Sequence, residues 1–308
     1  RMVAEFFRTD HHEIIVDFRD ITKNLAKILW HVEVPFGKPA MFANYFLSQG
    51  INKNKVTIDL SGEGSDEIFA GYNRYDFYLN DKLSNEEKAQ KIVSSYFPDD
   101  KEKNNFFNKK LLSNMKDRLK PESIFLPHLN KTDKKEHLNA ALVFELKNQL
   151  PGIHLLRVDR MSMAHSHEVR VPFVDDHEIV EFAMTIPSHL KWNGNNKKYI
   201  LQKTMQGLIP PEIVNRKKLP FHMPLLRYFQ EEFIEIAELV LSKSSIIDKL
   251  SIKKEFIMNQ IKKIKSKEDI DDNALRQILF LTNLELFNKI FLEKEKITEN
   301  DLNINNFL

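Results

Sequence analysis

The chain runs Lys55-Val56-Thr57-Ile58-Asp59-Leu60-Ser61-Gly62-Glu63-Gly64-Ser65-Asp66-Glu67 at the point that decides its fold. Residues 55–60 have the β-branched and apolar content of a buried strand, and the glycine-containing turn after Leu60 opens a helix. Strands that alternate with helices favour a doubly wound parallel sheet, in which ligands bind at the carboxyl ends of strands. Ser61 follows such an end. We therefore predict an α/β fold with a ligand site at residues 61–67.

The segment before this stretch predicts one more α/β unit. Residues 12–18 have the composition of a strand, and residues 20–34 and 40–48 have helical character on either side of a proline-rich break. Residues 1–7 are typical of the middle of an amphipathic helix without a cap residue. Because two strands make a poor parallel sheet by themselves, we expect the natural polypeptide to begin earlier and to supply further strands.

The sequence past Tyr75 changes character and becomes mainly helical. Two lysine- and aspartate-rich stretches, 98–110 and 131–136, predict solvated connections. We predict a partial α/β nucleotide-binding region at residues 1–75 and a helix-rich remainder at 76–308. Helical periodicity is found at residues 85–97, 136–150, 177–186, 197–208, 224–242 and 272–291.

Composition excludes several classes of protein. The 308 residues are 42% hydrophobic and 29% charged, as in ordinary globular proteins. The net charge of +2, from 46 basic and 44 acidic residues, gives no argument for binding nucleic acid or an anionic membrane. There is no cysteine, so this segment holds no disulfide, thiolate metal site or cysteine nucleophile. No apolar run approaches the roughly 20 residues that span a bilayer, and we expect a cytoplasmic enzyme or enzyme fragment.

The turn at residues 61–67 can carry chemistry. It places two glycines, two hydroxyls and three carboxylates between a strand and a helix. Glycines let the backbone approach a ligand closely, free amides at a helix start attract anions, and carboxylates suit magnesium shared with phosphate. The structural alternative is a glycine turn in which Ser65 caps the helix and Asp66 and Glu67 complement its dipole.

Residues 61–75, Ser-Gly-Glu-Gly-Ser-Asp-Glu-Ile-Phe-Ala-Gly-Tyr-Asn-Arg-Tyr, closely resemble the second nucleotide-site motif of asparagine synthetases. Residues 9–13, Thr-Asp-His-His-Glu, are similar to that family's threonine-x-His-His-Glu segment. Residues 159–175 resemble its longest motif, and residues 197–201 and 216–221 resemble two later ones. Five segments in the right order make chance agreement improbable, although residues beyond 225 add little.

The resemblance implies a glutamine-dependent ligase of amino-acid biosynthesis with an adenine nucleotide alpha-hydrolase-like fold. Such an enzyme uses ATP and Mg²⁺ to convert aspartate to β-aspartyl-AMP, and ammonia then displaces AMP to give asparagine. The ammonia comes from glutamine through an N-terminal glutaminase domain. The resemblance is also compatible with a homodimer, and it implies no nucleic-acid or membrane partner.

The resemblance implies a role for each matched residue. Asp66 would bind magnesium that bridges the phosphates, and Lys198 would neutralise charge on the departing pyrophosphate. Ser61 and Gly62 would face ATP with their backbone, and Glu63 would orient or deprotonate the attacking amine. The structural alternative for Lys198 is an ordinary solvated lysine.

Other residues are left with two interpretations. Glu168 and Arg170 would form a buried structural ion pair or contact substrate directly. The run at residues 216–218 would meet phosphate or only add surface charge. The histidine pairs at 11–12 and 165–167 lack further ligands, so we do not predict a metal site there.

The sequence departs from the family in three respects. It has no Ser-Gly-Gly-x-Asp-Ser pyrophosphate loop and no glutaminase cysteine, so the segment alone is expected to be inactive. Residues 34–47 differ from the family pattern in the region that helps define the acceptor pocket in relatives. Two alternatives therefore stay open, namely an amidotransferase acting on another carboxylate, such as a sugar acid, and a non-catalytic fragment or paralogue serving as an interaction module.

Overall fold

A computed structural model of the chain describes residues 1–80, 82–94, 100–115, 120, 122–194, 196–218, 231–268, 272–293 and 297–308. Over these ranges the fold is a helix-rich α/β arrangement, in which a short parallel strand pair lies among packed helices. The helices in the first half are α1 (Met2–Phe7), α2 (Phe18–Val32), α3 (Ala40–Lys53), α4 (Ser65–Phe69), α5 (Asn85–Ser94), α6 (Asp100–Phe106), α7 (Lys109–Met115), α8 (Glu122–Asn130) and α9 (His137–Gln149).

The second half of the chain continues the helical pattern. Short 3-10 turns span Asn73–Leu79, Lys134–Glu136, Glu299–Asp301 and Ile304–Phe307, and π-helical turns span Leu150–Leu155 and Lys289–Glu293. The helices here are α10 (Leu156–Met163), α11 (Pro172–Asp175), α12 (His177–Thr185), α13 (Ser188–Lys191), α14 (Tyr199–Thr204), α15 (Pro211–Val214), α16 (Glu231–Ser242), α17 (Ser245–Lys249), α18 (Lys254–Ser266) and α19 (Asp272–Asn288).

The parallel pair joins strands that are distant in sequence. Strand β1 (Ile58–Leu60) pairs with β2 (Glu168–Arg170), and Asp59 lies opposite Val169. The backbone N–H of Ser61 donates to the carbonyl of Arg170 at 2.8 Å, which extends the pairing by one residue. The two strands therefore deliver residues 61–67 and the chain after Arg170 to the same edge. A separate hairpin consists of β3 (Trp192–Asn193) and β4 (Asn196–Lys197).

Two apolar clusters in the described part of the chain hold the helices together. The larger one joins α2, α3 and α10 to the C-terminal helices, because α2 carries buried residues at helical spacing, including Leu25, Ile28 and Leu29. The smaller cluster is built around Tyr75, Phe125 and other side chains between residues 70 and 142, together with Trp192. The larger cluster includes residues on both sides of position 75, and the domain division predicted there stays a prediction.

The structure differs from both predicted strands, the one at residues 12–18 and the one at residues 55–60. Residues 12–17 form no strand, because the side chain of Asp17 caps α2 by accepting from the N–H of Arg19, and Ile15 is 95% exposed. The second prediction, a buried strand over residues 55–60, is right in position but wrong in burial. Only Ile58–Leu60 is a strand, and Leu60 is 71% exposed, because alternate side chains point to a face that no described residue covers.

One predicted connection is also wrong. The stretch 98–110 contains α6 and the start of α7, and Phe106 and Phe107 pack against the larger cluster. These two adjacent aromatic side chains supply apolar surface that can be buried. The many lysines around them hide this contribution when only the composition of the stretch is considered. The connection at 131–136 is correctly placed and contains only the short turn Lys134–Glu136. The predicted ends of two helices, 95–97 and 224–230, lie outside the described residues.

Candidate active site at the turn after the first strand

The turn after β1 is held by hydrogen bonds among its own residues. The hydroxyl of Ser61 accepts from the N–H of Glu63 at 3.3 Å, and the hydroxyl of Ser65 donates to the carbonyl of Gly62 at 2.9 Å. Gly64 has φ of 87°, and a Cβ at this position would overlap the side chain of Val174. A non-glycine residue would be strained there and would also push the turn away from α11. The glycine therefore permits the tight entry into α4.

Asp66, in the first turn of α4, is held by two lysines. Lys198 Nζ lies 3.1 Å from Asp66 Oδ1 and donates to Ser65 Oγ at 2.8 Å, and Lys218 forms a close ion pair with the same carboxylate oxygen. Burial alone would raise the pKa of Asp66, but the two ammonium groups outweigh it and leave that pKa below its ordinary value. Asp66 is therefore ionised at neutral pH.

Lys198 reaches this position from an unusual backbone conformation. It precedes α14 with φ of 50°, in the left-handed region that lysine seldom adopts. Burial lowers the pKa of its ammonium despite the ion pair with Asp66. Gly71 packs against both partners, and a Cβ there would overlap the Asp66 carboxylate and the Lys198 Cε. The absence of a side chain at Gly71 thus makes room for the ion pair.

Glu63 lies on the other side of the turn and contacts a helix from later in the chain. Arg157, buried in α10, donates through a guanidinium nitrogen to Glu63 Oε1 in a short ion pair. His154, in the π-helical turn before α10, places Nδ1 3.6 Å from Glu63 Oε2. Residues three apart lie on one face of a helical segment, which explains why both side chains meet the same carboxylate.

Glu67 and Tyr72 lie next to the contact between Glu63 and His154. The Tyr72 hydroxyl donates to Glu67 Oε1 at 2.6 Å, and burial raises the pKa of Glu67. The guanidinium of Arg74 lies 3.9 Å above the Tyr72 ring and donates twice to the fully buried carboxylate of Glu145 on α9, at 3.0 and 2.8 Å. This bidentate pair anchors the turn to the smaller apolar cluster.

The structure brings most of the predicted site residues together. Ser61, Gly62, Glu63 and Asp66 share one turn, and Lys198 contacts that turn at Asp66 and the adjacent hydroxyl. Their functional roles stay predictions. Within the basic run at 216–218, Lys218 contacts Asp66 and the side chain of Lys217 is exposed, and residues 219–221 of the same motif lie outside the described residues.

The predicted burial of Glu168 and Arg170 is wrong. Their side chains are 56% and 54% exposed and pair with each other, with Arg170 Nε donating to Glu168 Oε1 at 2.8 Å. The two residues occupy alternate positions of β2, so both side chains point to the same open face as Leu60 of β1. The side chains of Glu168 and Arg170 therefore do not reach the turn at residues 61–67.

Sequence analysis missed the residues that support the turn from behind. They are His154, Arg157, Tyr72, Arg74 and Glu145. Tyr72 and Arg74 belong to the motif at 61–75 but had no assigned role. His154 and Arg157 are spaced three apart before the long motif, and that spacing, together with two carboxylates in the turn, was the available clue.

The histidine pairs lie in different surroundings. His11 and His12 sit near carboxylates on the exposed N-terminal segment, and His167 is buried with Nε2 3.0 Å from Asp59 Oδ1 beneath β1. Within the described part of the chain, no group of three or more histidine, aspartate or glutamate side chains is arranged to hold a metal ion. None of the described helices is both long and apolar enough to cross a membrane.

Comparison with known proteins identifies the family. The sequence model of asparagine synthase matches residues 1–287. The chain belongs to the asparagine synthase family. Glutamine-hydrolyzing asparagine synthetase 1 of Bacillus subtilis is 28% identical over 257 residues, which cover 75% of this chain and 40% of that protein.

Two further relatives agree with this family assignment. Asparagine synthetase 3 of B. subtilis is 30% identical over 229 residues, covering 71% of this chain and 35% of the relative. The asparagine synthetase of Mesocricetus auratus is 24% identical over 72% of this chain and 30% of its own length. This asparagine synthase family member thus spans at most about 40% of the length of these relatives.

Proposed function

We propose that this chain forms the synthetase part of a glutamine-dependent asparagine synthetase, which converts aspartate to asparagine through β-aspartyl-AMP. The observation that carries the proposal is the convergence of Lys198 and Lys218 on Asp66 at a turn that follows a parallel strand. A carboxylate and two ammonium groups at the start of a helix suit a nucleotide triphosphate and its metal. An interaction module would have no need for this arrangement.

The proposed fold around the site is a doubly wound sheet of the adenine nucleotide alpha-hydrolase type. The parallel pairing of β1 with β2, and the position of the turn at the carboxyl end of β1, support it. In such a sheet further strands would pair beside β1 and β2, and helices would cover the apolar face of β1. Those strands, the pyrophosphate loop and a glutaminase domain are proposed to lie upstream in the complete polypeptide.

In the adenylation step, ATP would bind with its phosphates at the turn. The backbone of Ser61 and Gly62 would face the nucleotide, since the space over Gly62 is open. Lys198 and Lys218 would exchange their pairing with Asp66 for phosphate oxygens, and negative charge on the departing pyrophosphate would be stabilised by both ammonium groups.

Magnesium fits this arrangement through the carboxylate of Asp66. The turn offers Asp66 as a single carboxylate ligand, and Mg²⁺ is commonly held by one or two carboxylates plus substrate phosphates. Asp66 would hold the ion, which supplies charge neutralisation to the phosphates when bound. The low pKa of Asp66 keeps this ligand ionised.

In the second step, ammonia would attack the acyl carbon of β-aspartyl-AMP. The nitrogen forms the new C–N bond, the C–O bond to AMP breaks, and AMP leaves as an anion. The surplus proton on nitrogen passes to Glu63, whose Oε2 is the carboxylate oxygen not engaged by Arg157.

The complete enzyme would work in the cytoplasm and could assemble as a homodimer.

The test is aspartate-dependent exchange of labelled pyrophosphate into ATP. A polypeptide that includes the upstream coding sequence is expected to catalyse exchange, and the 308-residue chain alone is expected to show at least a hundredfold less, since oxyanion-type contacts are worth about 10²–10³ in rate each. Sugar acids in place of aspartate test the alternative acceptor. Exchange with a sugar acid but not with aspartate would transfer the proposal to another amidotransferase, and no exchange with any acid would refute adenylation.

A further inference from the structure

Lys198 holds a backbone conformation that needs support from its surroundings. It lies between β4 and α14 with φ of 50° and ψ of 36°, in the left-handed region. Residues other than glycine keep this conformation only where neighbouring structure fixes it, and such residues are frequent at functional sites. On the C-terminal side, the carbonyl of Lys198 accepts from the N–H of Gln202 in α14 at 2.8 Å. On the N-terminal side, the support comes from the hairpin of β3 and β4.

This hairpin is anchored in the smaller apolar cluster. Trp192 of β3 is 7% exposed and belongs to that cluster. Its indole Nε1 donates to the carbonyl of Gly194 at 2.7 Å, which helps to hold the turn of the hairpin. Trp192 lies opposite Lys197 in the antiparallel register, and Lys197 directly precedes Lys198. The hairpin therefore fixes the backbone at the residue before the strained one.

The side chain of Lys197 joins the hairpin to the chain just after α4. Its Nζ donates to Asn73 Oδ1 in a short hydrogen bond and lies 5.2 Å from the centroid of the Trp192 ring. Asn73 lies between Tyr72 and Arg74. The side chains of these two neighbours are both hydrogen-bonded to buried carboxylates. Lys197 thus contacts a part of the chain that is itself held in place.

Two consecutive lysines therefore contact two parts of the same motif, since Lys198 reaches Asp66 and Lys197 reaches Asn73. Lys218, the other lysine that contacts Asp66, repels Lys197, and this repulsion follows burial among the causes that lower the pKa of Lys197. The side-chain oxygen of Asn73 opposes the repulsion and keeps Lys197 in place. Loss of this contact would allow the strained backbone at Lys198 to relax.

We propose that Lys197 is a positioning residue for adenylation, which directs Lys198 toward Asp66 through its own contact with Asn73. This role rests on the proposed function, in which Lys198 neutralises charge on the departing pyrophosphate. Lys197 acts only through Lys198. Replacing Lys197 should therefore weaken the interaction with pyrophosphate and not the interaction with aspartate, and it should have no effect once the ammonium of Lys198 is absent.

The experiment measures aspartate-dependent exchange of labelled pyrophosphate into ATP by the polypeptide that includes the upstream sequence. Lys197→Met removes the ammonium and keeps an unbranched side chain, and it is made alone and together with Lys198→Met. Asn73→Leu removes the acceptor oxygen, whereas Asn73→Asp keeps one. Lys203→Met is the matched control, because the exposed Lys203 also has its Nζ near an aromatic ring, 5.6 Å from the centroid of Tyr199, but lies within α14.

We expect Lys197→Met and Asn73→Leu to raise the KM for pyrophosphate about tenfold, the loss from one hydrogen bond to a charged group, with the KM for aspartate unchanged. Asn73→Asp and Lys203→Met should match the unsubstituted protein. In the Lys198→Met protein, adding Lys197→Met should change the exchange by no more than about twofold, because substitutions that act through one group are not additive.

An unchanged KM for pyrophosphate in Lys197→Met would overturn the inference. So would an equal further loss when Lys197→Met is added to Lys198→Met, and so would a lower melting temperature and a slower exchange with both KM values unchanged. Either result would indicate a role that does not pass through Lys198. Absence of exchange in the unsubstituted protein would instead refute the proposed function.

Discussion

Asp66 and Lys198 form an ion pair, with Lys198 Nζ 3.1 Å from Asp66 Oδ1, although Asp66 follows the first strand and Lys198 immediately precedes α14. Gly71 is packed against both side chains. The pair is therefore sensitive to a single added methyl group at position 71.

Gly71→Ala should reduce pyrophosphate exchange by at least tenfold in the completed polypeptide while changing the melting temperature little. The new Cβ would overlap the Asp66 carboxylate and the Lys198 Cε, and both are side chains that can move aside without unfolding the core. Gly152→Ala is the control, because nothing lies within 4 Å of a Cβ at that position. Equal exchange in the two variants would show that the close approach at Gly71 has no functional consequence.

Glu145→Gln should lower the free energy of unfolding of the chain by about 3 kcal/mol or more. The substitution breaks a bidentate pair between Arg74 and a fully buried carboxylate, which leaves a poorly compensated charge inside the protein. Urea unfolding followed by circular dichroism measures the change.

The exposed pair between Arg1 and Glu13 serves as the comparison for this prediction. Glu13→Gln removes a similar contact at the surface and should change the urea midpoint little. If the two variants unfold at the same urea concentration, the buried pair does not anchor the turn energetically.

Lys191→Met should stabilise the protein at pH 7. Lys191 is fully buried, its Nζ has no hydrogen-bond partner in the described part of the chain, and burial lowers its pKa from the ordinary 10.5 to about 7. Between these two values the unfolded chain binds more protons than the folded chain, so this lysine makes stability rise with pH over that window.

The gain from Lys191→Met should be roughly 2–4 kcal/mol at pH 7 and should shrink as the pH approaches 10.5. Thermal melts at pH 7 and pH 10 test both parts of the prediction, with the exposed Lys249→Met as the control. A difference that does not depend on pH would mean that Lys191 is not buried as a poorly solvated amine.

Much of the local structure could be predicted from the sequence, but little of the long-range geometry could be. The helical spacing of residues such as Leu25 and Leu29 was sufficient to predict α2, and the polar turn after Leu60 was sufficient to locate the candidate site. The contact of Lys198 with that turn was expected only from a family resemblance, because spacing along the chain does not determine which distant lysine reaches a carboxylate.

The errors have a common physical origin in the sheet. The burial predicted for β1 and for Glu168 and Arg170 assumed neighbours on both faces, as parallel strands usually have. Among the described residues β1 pairs only with β2, and the alternate side chains of both strands face outward. The local composition shows that a strand is apolar, but it does not show which part of the protein covers the faces of that strand.

Pyrophosphate exchange by matched Asp66 and Lys217 variants tests whether the turn at residues 61–67 is the adenylation site. Both side chains lie in or beside the site motifs, but only Asp66 is at the turn, and the side chain of Lys217 is exposed. In the completed polypeptide, Asp66→Asn should lower aspartate-dependent exchange at least a hundredfold, because it removes the charge that pairs with the two lysines and that we propose as the metal ligand. Lys217→Ala should retain most of the activity. Normal exchange in Asp66→Asn would contradict the assignment of this turn as the adenylation site.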